Sequence, residues 1–227
     1  MPISIDRTGA NERFQQVRAL LSFIKLQESN EVPPVDSDEV KVLRGLFFVH
    51  LYGAFEKSVN EAVERYIQKI DDLKVAYVDF SSIFLPTALD SVFTSIQMGG
   101  KWEKRVDFFK ILESNDKCGI RNTIFSDQLT NTWFKNLDRI ALCVGAARPF
   151  LRNVADSHYL DEVVEKRNQV AHGRNTPLHV GSSGRSVDLD VRFMAVRRVF
   201  DDYCEMLEVN YNSLEFIKPP NRERYVA

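Results

Sequence analysis

Apolar residues recur at intervals of three and four along most of the chain, which is the spacing of amphipathic α-helices. The first such segment covers residues 8–28 and is followed by a Pro–Pro pair that no helix can continue through. The longest covers residues 38–71, and its first half, VKVLRGLFFVHLYGAF, is apolar nearly all round. This pattern predicts a central helix that is packed on several sides.

Shorter segments with the same periodicity follow the long one. They cover residues 87–96, 102–112, 132–144, 156–171 and 187–214, and the first of them is expected to end at Gly99-Gly100. The stretch HGRNTPLHVGSSGRS reads as a polar loop, and IKPPNRERYVA reads as an extended or disordered tail. Without a strand pattern, a repeat or a linker, the sequence predicts one all-α domain over residues 1–227, with a core at about 10–215 and a tail at 216–227.

Composition narrows the class of protein. The chain has 227 residues, 44% of them hydrophobic, and a formal net charge of −2, so no global basic field indicates nucleic-acid binding. A contact with RNA or DNA would need a local cluster of cations. Three widely spaced cysteines favour neither a disulfide framework nor a metal site, and no cofactor is indicated. No signal peptide or membrane span is recognisable, which predicts a cytoplasmic protein.

One arginine breaks the apolar pattern. In EVVEKRNQVAHGRN (residues 162–175), a rotation of about 100° per residue places Arg167 in the middle of an apolar stripe. A guanidinium keeps its charge, so it must meet an acidic partner or an anion-filled cleft. Alternatively, Arg167 forms a structural ion pair, or its aliphatic part packs on the protein while its guanidinium reaches solvent.

Two neighbours of Arg167 add candidate chemistry. Asn168 and His172 are four residues apart and share a helix face, and Gly173 is typical of a left-handed helix stop. An ideal helix separates His172 from Arg167 by about 140°. The two side chains therefore converge only if the last turn is loosened or if one of them comes from a second subunit. A non-catalytic histidine that interacts with the helix dipole is the alternative.

These residue types suit RNA cleavage without a metal. The reaction needs a base for the 2′-hydroxyl proton and a cation for the charge that develops on phosphorus. Histidine transfers protons near neutral pH, and arginine binds phosphate in a bidentate manner. We therefore take Arg167, His172 and Asn168 as candidate catalytic residues, with Asn168 as an orienting group.

A carboxylate interrupts the apolar face of the long helix. Glu56 lies at helical spacing from Val49, Tyr52, Val59 and Val63, and Arg167 is its obvious cation. Glu56 would then hold the guanidinium in position, although a plain buried ion pair fits equally well. Arg174 and Arg185, in the loop after the motif, are candidate RNA-binding residues that could equally belong to a solvated surface.

The motif R-N-Q-V-A-H-G at a helix end, with LRGLFFVHLYGAFEK upstream, resembles the HEPN superfamily. The resemblance implies a helical bundle with extra short helices between the long second helix and the motif helix. It also implies a homodimer in which both motifs line one cleft, and metal-independent endoribonuclease activity that leaves a 2′,3′-cyclic phosphate. The most similar groups belong to toxin and anti-phage defence systems, which would add an antitoxin or defence partner.

Three hypotheses remain open at this point. The first is a HEPN ribonuclease that acts as a toxin or defence effector. The second is a non-catalytic HEPN module that binds RNA, a nucleotide or a partner protein. The third is a helical interaction protein in which Arg167 and Glu56 form only a buried ion pair.

Overall fold

The computed structural model describes residues 2–99 and 102–226. Three of its helices are long: α1 (Thr8–Gln27), α2 (Asp38–Asp72) and α9 (Ser186–Asn212). The others are α3 (Leu85–Ala88), α4 (Asp90–Gly99), α5 (Trp102–Leu112), α6 (Phe134–Cys143), α7 (Ala155–Ala171) and α8 (Pro177–Gly181). Short 3-10 segments lie at Tyr77–Asp79, Ser126–Leu129 and Pro219–Tyr225. Within the described ranges there is no β-strand, only two isolated bridges, and the predicted all-α class is confirmed.

Helix α2 is the centre of the bundle, as its nearly all-round apolar sequence predicts. It packs against α1, α7, α8 and α9, and Phe47, Leu51 and Phe55 along it are fully buried. Its first turn is capped by Ser37, whose side chain accepts a hydrogen bond from the Val40 N–H at 3.4 Å. Of the described helices, none is long and apolar enough to cross a membrane.

The expectation of an extended or disordered tail was wrong. Residues 216–226 pack on the bundle: Phe216 and Ile217 are fully buried, and the Tyr225 hydroxyl donates to Asp79 at 2.6 Å. These side chains contact residues of the bundle that are distant in sequence, and a local pattern does not show such contacts. The segment predicted as residues 87–96 divides into α3 and α4. Helix α4 is described as far as Gly99, and the stop expected at Gly99-Gly100 lies partly outside the described residues.

The supposed loop after the motif contains helix α8, which is held against α2 by two glycines. A methyl group at Gly181 would lie 1.8 Å from the Lys41 carbonyl oxygen, and one at Gly45 would lie 2.0 Å from that of Pro177. The backbones of α2 and α8 therefore touch directly, and no larger residue fits between them. Because α8 follows the motif within a few residues, this crossing fixes the exit of α7.

We expect Gly181→Ala to destabilise the fold by about 1–3 kcal/mol or more, because the added methyl group must push two backbones apart. Chemical denaturation of the wild type and the variant measures the change. Gly53→Ala is the matched control, since a methyl group there meets nothing within 4 Å and should stabilise α2 by about 0.5–1 kcal/mol. Equal stability of the two variants would contradict the close crossing.

A buried cluster of charges joins the end of α1 to the starts of α2 and α9. Arg44 is only 3% exposed and pairs with Glu28 and Asp36, which are 7% and 8% exposed. Glu28 also accepts from the N–H and the hydroxyl of Ser186, each at 2.7 Å. The cluster thereby caps the N-terminus of α9 and fixes the connection between α1 and α2.

Candidate functional site

Arg167 lies on α7, where it faces the middle of α2. Its guanidinium carbon is 4.2 Å from the centre of the Tyr52 ring, a cation–π contact. Its Nη1 donates to Asn168 Oδ1 at 2.7 Å and lies 3.5 Å from Asn131 Oδ1. These contacts from three parts of the chain fix the plane of the guanidinium.

The remaining donors of Arg167 are free. In the described part of the chain, Nε and Nη2 have no hydrogen-bond partner, and the nearest carboxylate oxygen, on Glu56, is 4.0 Å from Nη2. Neither nitrogen is sealed from solvent, and the side chain keeps 21% of its surface exposed. An oriented cation with unused donors at a surface is what a bidentate phosphate site requires.

Tyr52 joins the parts of this site. It is 1% exposed, its hydroxyl donates to Glu56 Oε1 at 2.6 Å, and it accepts from the Thr132 N–H at 3.0 Å. Burial, together with the hydrogen bond to the Glu56 carboxylate, raises the pKa of Tyr52 to about 12. Tyr52 therefore stays protonated at neutral pH and serves as a donor and a platform, not as a base.

Glu56 reaches Arg167 mainly through Tyr52. The sequence predicts a direct Glu56–Arg167 pair, and the structure brings the two residues together, but only at 4.0 Å. The shorter contact is with the Tyr52 hydroxyl, so Glu56 fixes the ring on which the guanidinium lies. Tyr52 and Asn131 were missed. Tyr52 gave one usable signal, its position four residues before Glu56, whereas Asn131 lies in a loop that carries no pattern.

His172 is the C-cap residue of α7. The helix stays regular to its end, because the His172 N–H donates to the Asn168 carbonyl at 3.0 Å, and Gly173 then takes the expected left-handed conformation with φ 66°. The His172 side chain is exposed and makes no hydrogen bond or ion pair with the described residues. The last turn is therefore not loosened, and helical geometry keeps His172 about 140° away from Arg167 around α7.

The predicted basic residues divide into two groups. Arg174 is exposed and has no partner in the described ranges. Arg185 lies beside Glu28 and Asp36, at 3.4 and 4.0 Å, and donates to the Ser29 carbonyl, so its charge is largely neutralised. Ion pairs with acidic residues also occupy three arginines of α9, namely Arg192, Arg197 and Arg198.

The cysteines are not activated as thiolates, because burial raises the pKa of Cys118, Cys143 and Cys204. The pKa of Cys118 rises to about 11 and that of Cys204 to about 12, so both are thiols at neutral pH. Within the ranges that the structure covers, no group of three or more His, Cys, Asp or Glu side chains could hold a metal ion.

The fold and the site together define an all-α bundle with an Arg-x4-His motif at the end of a helix that packs on the long second helix. A family model described as RiboL-PSP-HEPN matches residues 11–214. The chain therefore belongs to this HEPN family, which confirms the resemblance drawn from the motif. No curated protein and no solved structure matches the chain.

Proposed function

We propose that the protein is a metal-independent endoribonuclease whose site is shared between two copies of the chain. The observation that carries the proposal is the state of Arg167, which is oriented by Tyr52, Asn168 and Asn131 yet keeps free donors at the surface. A purely structural arginine in a bundle would use those donors on a carboxylate at hydrogen-bond distance. Here the carboxylate of Glu56 is held by a phenol instead.

In the proposed reaction, Arg167 binds the non-bridging oxygens of the scissile phosphate. His172 takes the proton of the neighbouring 2′-hydroxyl, whose oxygen then attacks phosphorus. The bond from phosphorus to the 5′-oxygen breaks, and the leaving oxygen takes a proton from water. The products are a 2′,3′-cyclic phosphate and a 5′-hydroxyl. Arg167 stabilises the charge that develops in between, and Asn168 keeps the guanidinium oriented.

The position of His172 supports a dimer. Since α7 stays regular, Arg167 and His172 of one chain lie on different sides of the helix, too far around it to act on one phosphate. A two-fold axis beside the end of α7 would bring His172 of one copy to Arg167 of the other, as an isologous dimer requires. Arg174, exposed two residues beyond His172, would then line the same cleft and bind RNA.

We expect the purified protein to cut single-stranded RNA in the presence of EDTA, because a histidine and an arginine supply all the chemistry. The products, separated by denaturing electrophoresis and treated with a phosphatase, should carry cyclic phosphates that resist it. The DNA of the same sequence should stay intact, because it lacks the 2′-hydroxyl. Cleavage that appears only on addition of a divalent cation would contradict the proposal.

RNA binding without cleavage on many substrates would favour a non-catalytic HEPN module.

For the biological role we propose a toxin or anti-phage defence effector in the cytoplasm, controlled by an antitoxin or another defence partner. Induced expression should then arrest growth, and His172→Ala should relieve the arrest at equal protein levels.

A further inference from the structure

Two exposed cations on α6 have no acidic partner. Lys135 and Arg139 are both exposed, and neither makes an ion pair or a hydrogen bond with the described part of the chain. They are four residues apart, which places them one turn and about 6 Å from each other along the same face. Asp138, the one acidic residue of this helix, is paired with Arg148 at 3.0 Å and does not neutralise them.

This face of α6 points outward. The buried residues of the helix are Leu137, Ile140 and Ala141, and a rotation of about 100° per residue puts them opposite Lys135 and Arg139. The two cations therefore present their charges to solvent on the side of α6 away from the core. A structural role in the fold does not account for them.

The helix begins beside the Arg167 site. Asn131, whose side chain lies 3.5 Å from Arg167, accepts a hydrogen bond at its carbonyl oxygen from Asn136 Nδ2 at 2.6 Å. The first turn of α6 is thus tied to the residue that contacts the guanidinium. Lys135 is in that turn, and Arg139 is one turn further along α6.

Helix α9 differs from α6 in that its basic side chains are neutralised. Its arginines Arg192, Arg197 and Arg198 are each paired with a carboxylate, at 3.0, 2.9 and 2.8 Å. Although the net charge is −2, uncompensated positive charge thus lies along α6, whose first turn is tied to the Arg167 site. A local row of unpaired cations is the feature that a polyphosphate backbone recognises.

We infer that Lys135 and Arg139 form a phosphate track, which carries the RNA backbone away from the phosphate bound by Arg167. The inference rests on the proposed function and adds to it the path of the substrate. Since backbone phosphates carry no base identity, the track supplies affinity and register but no sequence preference.

The test is the salt dependence of binding to a single-stranded oligonucleotide whose 2′-hydroxyls are methylated, so that it cannot be cut. Fluorescence anisotropy is measured over a range of salt concentrations for the wild type and for Lys135→Ala/Arg139→Ala. The double variant should bind more weakly. Its slope of log affinity against log salt should be shallower by about 1.4, about 0.7 for each lost phosphate contact.

The matched control is Lys69→Ala/Lys110→Ala, which removes the same charge from two exposed lysines that each lie 3.8 Å from an aspartate. The control should keep the wild-type slope. Thermal denaturation checks that both double variants fold, as expected for exposed side chains.

The outcomes separate the two proposals. If the wild type cuts RNA but the α6 variant keeps its affinity and slope, the track is overturned and the nuclease stands. If the slope falls as expected but no substrate is cut, the track stands and the nuclease is overturned. A wild type that neither binds nor cuts overturns both.

Discussion

Arg167→Ala and His172→Ala are each expected to lower RNA cleavage by about 10²- to 10⁴-fold, because one removes the phosphate cation and the other the proton acceptor. A heterodimer that combines the two variants should recover about half of the wild-type activity. One of its two sites lacks both groups, whereas the other pairs the intact Arg167 of one chain with the intact His172 of its partner. Co-expression with two affinity tags isolates this heterodimer for a cleavage assay.

The control heterodimer carries both substitutions on one chain and none on the other. In a shared site, each of its two sites then lacks one group, so it should be as inactive as the single variants. If each chain instead holds a complete site, the two results exchange: the control is half active and the mixed heterodimer is inactive. That exchange, or a wild-type protein that sediments as a monomer, would contradict the shared cleft.

Arg44→Ala is expected to destabilise the protein by about 3–5 kcal/mol at neutral pH, since it leaves Glu28 and Asp36 buried without their main cation. Urea denaturation measures the loss. Arg18→Ala is the matched control. Arg18 also pairs with an aspartate, Asp190, but both side chains of this pair are 48% exposed. An exposed pair contributes about 0–1 kcal/mol, so the control should change little. Equal effects would contradict the burial of the Arg44 cluster.

The effect of Arg44→Ala should depend on pH. Burial on its own would raise the pKa of Asp36, but hydrogen bonds from the Ser29 N–H and Arg44 lower it below its ordinary value. The wild-type carboxylate therefore contributes stability above the unfolded pKa of about 3.9, which is lost as the pH falls through the lower folded pKa. Without Arg44 the folded pKa rises. The difference in stability between wild type and variant should consequently shrink as the pH falls to about 4.

Helical periodicity predicted the long elements well, because it records which face of each segment leaves water. It placed α1, α2, α5 and α9 close to their observed bounds. It failed at α8, because the contact between α8 and α2 depends on glycines. A glycine has no side chain and so leaves no apolar pattern. It also failed at Phe216 and Ile217, which are too few to show a period but are buried by the surrounding helices.

The candidate site divides in the same way. Arg167 and Glu56 were recognisable because each puts a charge where its helix should be apolar. Asn131 could not be recognised, since only the packing of its loop on α7 brings it within 3.5 Å of Arg167. The basic residues show most clearly what the sequence does not predict. The sequence does not show whether Arg185 or Arg139 is neutralised. In the structure, Arg185 lies beside two buried carboxylates, whereas Arg139 has no partner among the described residues.

By itself, the sequence determined the helical class, the central place of α2, the family motif and the end of α7 just before Gly173, because each depends on local spacing and residue type. Only the tertiary structure decided which charges are neutralised and which donors of Arg167 stay free. Those properties depend on distances between segments far apart in the chain, and electrostatic interactions follow distance and burial, not order in the sequence.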